Sequence, residues 1–374
     1  MRVLLTGAFG NIGAHTRDAL LTRGFEVIAS DAATPRTRKL AAKLPANLAA
    51  NPRLRVAWAD LRDAAELNHL VATHKPDAIV HLAAVIPPPA YFNAALARAV
   101  NVDAVANLIA AASALATPPR IVFASSYTVH GPRNGARELP LLTPSTPVAP
   151  ADAYAGHKVE AELLLRQSQL PHVVLRIGTC LPFTPGGGDP RTMRMVFELP
   201  RDSRSHGLDP RDAALAFANA VDADVDGRIL YIGGADEFRT RQRELMPRYQ
   251  HTLGLAPFHD AAFAVPHPEI DAAWYFEDWM DTRESQAKLG FQRHTLSDYF
   301  AELARRNRVG ALLLRPLGRV VRWQLAKQSR FHGRPGAHES QPMEDRLAAI
   351  FGDAARPQPA SRAAAEALNR LLNP

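Results

Sequence analysis

Tyr154 and Lys158 stand four residues apart in a segment with a helical pattern, so their side chains lie on one face, one turn apart. An unperturbed phenol, with a pKa of about 10, is a poor base at neutral pH, but neighbouring positive charge favours the phenolate. Such a pair can take a proton from a hydroxyl or return it. Upstream, Val122-Phe123-Ala124-Ser125-Ser126 ends an apolar run with two hydroxyls, at the strand end where ligands bind in open parallel sheets. A second chemistry lies near the N-terminus. Gly7-Ala8-Phe9-Gly10-Asn11-Ile12-Gly13 spaces three glycines between a strand-like and a helix-like run. Such a turn lets the backbone approach a pyrophosphate that faces the N–H groups of the helix start. Asp31 ends the next strand-like run 18 residues after Gly13, placed to bind the ribose hydroxyls of a dinucleotide and to repel a 2′-phosphate. NAD is therefore the expected cofactor, and its positive nicotinamide ring would add to the charge that favours a Tyr154 phenolate. Arg36, Arg38 and Lys39 keep NADP open as the alternative.

These side chains need a scaffold that brings strand ends together. Short β-branched and aliphatic runs at 2–6, 25–30, 56–59, 78–82, 121–124, 173–176 and 228–232 read as strands. Helical patterns at 12–22, 94–116, 152–167 and 212–221 lie between them. That alternation predicts an α/β fold, a doubly wound parallel sheet joined by right-handed crossovers. After Cys180 the regularity drops, with Pro182, Pro185, Gly186-Gly187-Gly188 and Pro190 in one loop. The expected division is 1–178 for the dinucleotide-binding part, 179–305 for a smaller substrate lobe sharing some sheet elements with it, and 306–374 for a C-terminal extension.

Composition narrows the class. The chain has 374 residues, 47% apolar and 22% charged, as in ordinary globular proteins. No uninterrupted apolar run reaches the roughly 18 residues of a spanning helix, and glycine arrives too early for a signal peptide, so a cytoplasmic protein is expected. The single cysteine, Cys180, excludes an internal disulfide and multi-cysteine metal sites, and no His-x-x-x-His pattern occurs, so no metal is expected. Basic residues number 44 against 37 acidic, but nine of them fall between Arg305 and Arg334 with no acidic residue among them. The basicity is thus local. With apolar residues from Leu312 to Phe331 interleaved, that stretch suits an anionic membrane surface, a partner chain, or docking on its own domain. Nucleic acid is not expected, since no reading motif accompanies the charge.

In order along the chain these motifs resemble the extended short-chain dehydrogenase/reductase family, in its NAD-dependent epimerase/dehydratase branch, over roughly residues 1 to 305. The resemblance implies a Rossmann-like sheet with a smaller substrate lobe. It implies Ser126, Tyr154 and Lys158 as catalytic residues, with Lys158 lowering the tyrosine pKa and holding the nicotinamide ribose. It further implies cofactor contacts by Gly7, Phe9, Gly10, Asn11, Ile12, Gly13 and Asp31. Asp60 and Leu61 would contact adenine, and Leu82, Ala83, Ala84, Asn101 and Ser125 would line the cofactor, together with Tyr154 and Lys158. His81 is expected to be a packed strand-end residue.

Departures restrict the substrate. Tyr127-Thr128 replace the acidic pair that sugar dehydratases carry, and Arg176-Ile177-Gly178-Thr179 lacks the asparagine usual in nucleotide-sugar epimerases. Arg191, Arg194, Arg201 and Arg204 are candidates for an anionic substrate, or for a solvated basic loop. The expected activity is an NAD-dependent oxidation or epimerisation at a secondary hydroxyl of a sugar-like small molecule, free or nucleotide-linked. An NADP-dependent carbonyl reductase and a non-catalytic dinucleotide-sensing scaffold stand as alternatives, and a homodimer is left open.

Overall fold

The computed structural model describes residues 1–184, 189–332 and 338–373. The glycines 186–188 and Arg334, both singled out in the sequence, lie outside the described residues. Ten strands matter for the site: β1 (Arg2–Thr6), β2 (Glu26–Asp31), β3 (Leu54–Trp58), β4 (Ala78–His81), β5 (Arg120–Ser126), β6 (His172–Ile177), β7 (Thr179–Cys180), β8 (Arg204–Leu208), β9 (Ile229–Ile232) and β10 (Arg239–Arg241). Seven form one parallel sheet in the order β3-β2-β1-β4-β5-β6-β9. A small second sheet has the order β10-β8-β7.

The aliphatic runs are central strands because both of their faces are covered. Val3 and Leu5 of β1, Val80 of β4, Val122 of β5 and Val173 of β6 pack with Leu20 and Phe217 from the helices Asn11–Thr22 and Pro210–Asn219. The alternate residues Leu4, Ile79, Phe123 and Val174 pack on the opposite face. There they meet Leu67, Leu108 and Leu165 of the helices Ala64–His74, Ala104–Ser113 and Ala153–Gln167. Strand order reverses between β1 and β4, and at such a switch point the carboxyl ends of the strands open a crevice. The helical stretch Ala94–Ser113, with a mean hydropathy of 1.3, is long and apolar enough to cross a bilayer, but its apolar residues Val105, Leu108, Ala111 and Ala112 pack in this core.

The C-terminal part is closely joined to the rest in two ways. The position 305/306 falls inside one helix, Leu296–Leu314. Residues 338–373 are also no appendage. Helix Pro359–Leu372 lies along Ala153–Gln167, with Ala364, Ala365 and Leu368 buried against Val129, Val148 and Val159. Ser361 Oγ donates to Glu160 Oε1 at 2.6 Å. Asn369 clamps the backbone of Val148 with two hydrogen bonds, at 2.8 and 2.9 Å. Helix Met343–Phe351 buries Met343 and Leu347 in the cluster that holds Tyr154, and Arg346 reaches the carboxylate of Glu198 at 2.8 Å.

Candidate active site

The glycine turn joins β1 to the helix Asn11–Thr22 and needs its glycines for distinct reasons. Gly7 has φ +68°, and a Cβ there would stand 2.8 Å from the backbone nitrogen of Ala83. A Cβ on Gly13 would stand 2.0 Å from the Gly7 carbonyl oxygen. Gly10 is the helix N-cap and has no side chain to take up the first N–H groups, which leaves them for a ligand. Asn11 opens the helix and Ile12 packs on the core. Phe9 stacks on Trp58 with ring centroids 5.6 Å apart, and its N–H donates to Asp31 Oδ2 at 3.1 Å. Burial raises the Asp31 carboxyl above its ordinary value, opposed by the N–H groups of Phe9 and Ala32. Arg38 lies over the Trp58 ring. The turn, the capless helix start and the carboxylate at the end of β2 together fit the pyrophosphate and ribose of a dinucleotide.

The flanking residues have more structural duties than the sequence suggested. Asp60 is held by the Arg62 side chain at 2.9 Å, and Leu61 is buried in the core. A cavity of about 660 Å³, lined by Thr34, Trp58, Asp60, Arg62 and Glu66 among others, opens beside them. Leu82, Ala83 and Ala84 follow β4 and are half-buried. Asn101 is spent on shaping that loop: its amide accepts from Val85 N–H at 2.8 Å and donates to Val85 O at 2.9 Å. His81 is packed, 2.9 Å from Thr6 Oγ1 through Nδ1, and burial together with the Lys158 charge lowers it to about 3.

Ser126, Tyr154 and Lys158 come together at the end of β5. Asp152 caps the helix Ala153–Gln167, its Oδ1 accepting from Ala155 N–H at 2.6 Å, and a bond from the Tyr91 hydroxyl holds the other oxygen. Ser126 Oγ is 2.9 Å from Thr128 Oγ1. Lys158 Nζ donates to the Ala124 carbonyl at 2.7 Å and lies 5.7 Å from the Tyr154 ring centroid. Burial lowers the lysine to about 8, with Glu162 opposing. The expected depression of the Tyr154 pKa by Lys158 is not found in the protein alone. Burial and the Asp152 charge push the phenol well above its ordinary value, and the nearby Ser126 hydroxyl opposes them.

Ser125 is turned away from this group. It is fully buried and donates to Glu162, which also accepts from Arg176 Nη2 at 2.7 Å. Arg176 in turn donates to the Tyr231 hydroxyl at 3.1 Å. Its side chain therefore braces β5 against β6, and only its backbone is left for a cofactor. Three of the four arginines considered for an anionic substrate already have carboxylates: Arg191 with Asp189 at 2.7 Å, Arg201 with Asp260 at 2.9 Å and Arg204 with Asp278 at 3.1 Å.

A further cluster has no local sequence signal. Glu277 is buried and accepts from Gln242 Nε2 at 2.8 Å, with the hydroxyls of Ser205 and Thr179 nearby favouring its ionised form. Burial pushes it up to about 7. Tyr127 OH is 2.6 Å from Thr179 Oγ1, which links this cluster to the residue after Ser126.

Several curated proteins and solved structures are similar to this chain. D-erythronate dehydrogenase of Cupriavidus necator is 33% identical over 184 residues, 48% of this chain and 55% of that protein. A UDP-glucose 4-epimerase of Pisum sativum is 27% identical over 277 residues, covering 70% of this chain and 71% of that one. The chain spans about half the length of the first of these curated relatives. The fold is that of UDP-glucuronic acid 4-epimerase from Bacillus cereus, at TM-score 0.66 and 18% identity over 83% of this chain and 99% of that one. UDP-glucose 4-epimerase from Thermus thermophilus matches at TM-score 0.64 and 21% identity, over 82% and 99% of the two chains. Residues 3–201, more than half of the chain, match the NAD dependent epimerase/dehydratase family, and the protein belongs to that family.

Proposed function

We propose that the protein is an NAD-dependent oxidoreductase or epimerase, in a cytoplasmic setting, acting on a secondary hydroxyl of a sugar-like small molecule. The observation that carries this is the meeting of Ser126, Tyr154 and Lys158 at the end of β5, on the same edge of the sheet as the Gly7–Gly13 turn and Asp31. NAD would be held by the glycine turn and helix start at its pyrophosphate, by Asp31 at its adenosine ribose and by Lys158 at its nicotinamide ribose. Bound in its oxidised form, it supplies a hydride acceptor and a positive ring. Ser126 Oγ orients the substrate hydroxyl, and Tyr154 Oη takes the hydroxyl proton as the carbon gives up hydride, or returns it in the reverse direction. Lys158 contributes the ammonium that favours the phenolate once its contact with the Ala124 carbonyl is exchanged.

For the substrate, a hydroxylated acid of the kind named for the Cupriavidus relative is favoured over a nucleotide-linked sugar. Arg191, Arg201 and Arg204 are committed to carboxylates, so they do not offer free guanidinium groups to a diphosphate. The exposed part of 306–332 serves attachment and takes no part in the chemistry.

Tyr154→Phe tests the chemistry. It should leave NAD affinity nearly unchanged and reduce turnover by about 10²–10⁴-fold. A variant keeping more than about a tenth of the rate overturns the assignment. Sugar acids and UDP-hexoses offered in parallel, with the absorbance of reduced nicotinamide followed, separate the two reactions: net NADH for a dehydrogenase, almost none for an epimerase.

A further inference from the structure

Beyond Asn307, whose amide holds the Phe183 carbonyl at 2.8 Å, the helix Leu296–Leu314 leaves the core. A 3₁₀ turn, Arg315–Leu317, leads into a second helix, Gly318–Ala326. Two small residues seat this segment. Ala311 is buried where a Cβ on Gly254 would be 2.4 Å from its carbonyl oxygen, and a Cβ on Gly318 would be 2.7 Å from the Gly254 oxygen. The outer side is open to solvent. Val309 is 72% exposed, Leu312 65%, Leu313 71%, Leu317 56%, Val320 62% and Trp323 54%. Positions 309, 313, 317, 320 and 323 recur every three or four residues and so form one stripe. An exposed stripe of this size on a folded chain marks an interaction site.

Charge identifies the partner. No acidic residue occurs between Glu302 and Glu339. Arg305 and Arg306 pair with Glu302, and Arg330 pairs with Glu198 and Glu339. Among the described residues Arg308, Arg315, Arg319, Arg322 and Lys327 have no carboxylate partner. A second copy meeting this stripe about a two-fold axis would set these cations against themselves. Nucleic acid would neutralise the cations but leave the aliphatic side chains in water. We propose that 308–327 is a docking surface for an anionic phospholipid bilayer. The apolar stripe enters the headgroup boundary, and the flanking arginines bind lipid phosphates. This inference does not depend on the catalytic reading.

The test uses the full chain in sedimentation with vesicles of equimolar phosphatidylglycerol and phosphatidylcholine, against vesicles of phosphatidylcholine alone. At about 0.1 M salt the protein should pellet with the anionic vesicles and stay in solution with the neutral ones, and about 1 M salt should release it. Each basic side chain at the surface contributes about fivefold to partitioning. Leu313→Asp with Trp323→Asp, and separately Arg315→Glu with Arg319→Glu, should each weaken binding at least about tenfold. All four positions are exposed, so an unchanged melting temperature and circular dichroism spectrum are required of both variants. The proposal fails if the wild type remains in the supernatant with anionic vesicles, or if either folded variant pellets as well as wild type. It also fails if the stripe variants dissociate a dimer seen by sedimentation velocity while vesicles bind neither form, which would assign the surface to a second copy.

Discussion

Leu368→Ala probes whether the C-terminal helix is part of the structure that holds Tyr154. Leu368 is fully buried between Val159, on the tyrosine helix, and Val129 and Val148 beside the Ser126 turn. The substitution removes three carbons from this contact. At about 0.8 kcal/mol per buried carbon, transfer alone costs roughly 2.4 kcal/mol. The helix is pinned by Ser361 on Glu160 and by Asn369 on Val148, so it cannot move in to fill the space, and the cavity should bring the total to about 3–5 kcal/mol. That is a large share of the about 5–15 kcal/mol that holds a typical domain. Guanidinium unfolding followed by circular dichroism should show a lower midpoint with an unchanged slope. Leu371→Ala, at a position 49% exposed on the same helix, should change stability by no more than about 0.5 kcal/mol. A loss below about 1 kcal/mol for Leu368→Ala would refute the argument, because residues 359–372 would then be loosely attached.

Gly13→Ala places a Cβ 2.0 Å from a backbone oxygen, whereas Gly10→Ala meets the same oxygen at 3.2 Å. Calorimetry should show NAD binding weakened by more than about tenfold, or ~1.4 kcal/mol, for Gly13→Ala and by less for Gly10→Ala; equal affinity for wild type and Gly13→Ala would refute the steric account of the turn. Glu277 is raised from 4.5 to about 7, so the folded state keeps a proton that the unfolded chain releases. Its contribution to stability is therefore complete below pH 4.5 and disappears as pH rises to about 7, on the order of 3 kcal/mol in all. Asp152, raised to about 6, acts with the same sign over the lower part of that window. Glu277→Gln should flatten the decline between about pH 5 and 7 in denaturant unfolding, and an unaltered slope would show that Glu277 is ionised in the fold.

Local periodicity carries much of this protein. The strand runs at 2–6, 78–82 and 121–124 are legible because both faces of a central parallel strand are apolar, and the structure places strands within a residue or two of each. The Gly7–Gly13 turn and the spacing of Tyr154 from Lys158 are likewise legible, since each is a relation within one turn or one helix. Relations across the fold were decided by tertiary packing alone. The Ser125 hydroxyl meets Glu162, 37 residues on, because alternate side chains of β5 face opposite sides of the sheet. Arg204 resembled a free cation until Asp278 reached it from 74 residues away. Along 309–326 an amphipathic stripe with arginines between its apolar residues has the same sequence whether it is buried or bare. Only the tertiary structure turns Ala311 and Gly318 inward and leaves Leu313 and Trp323 in solvent, while 343–372 is drawn back onto the helix of Tyr154. Periodicity specifies which faces a segment has; which face finds a partner depends on residues that are distant in the chain and brought close by the fold.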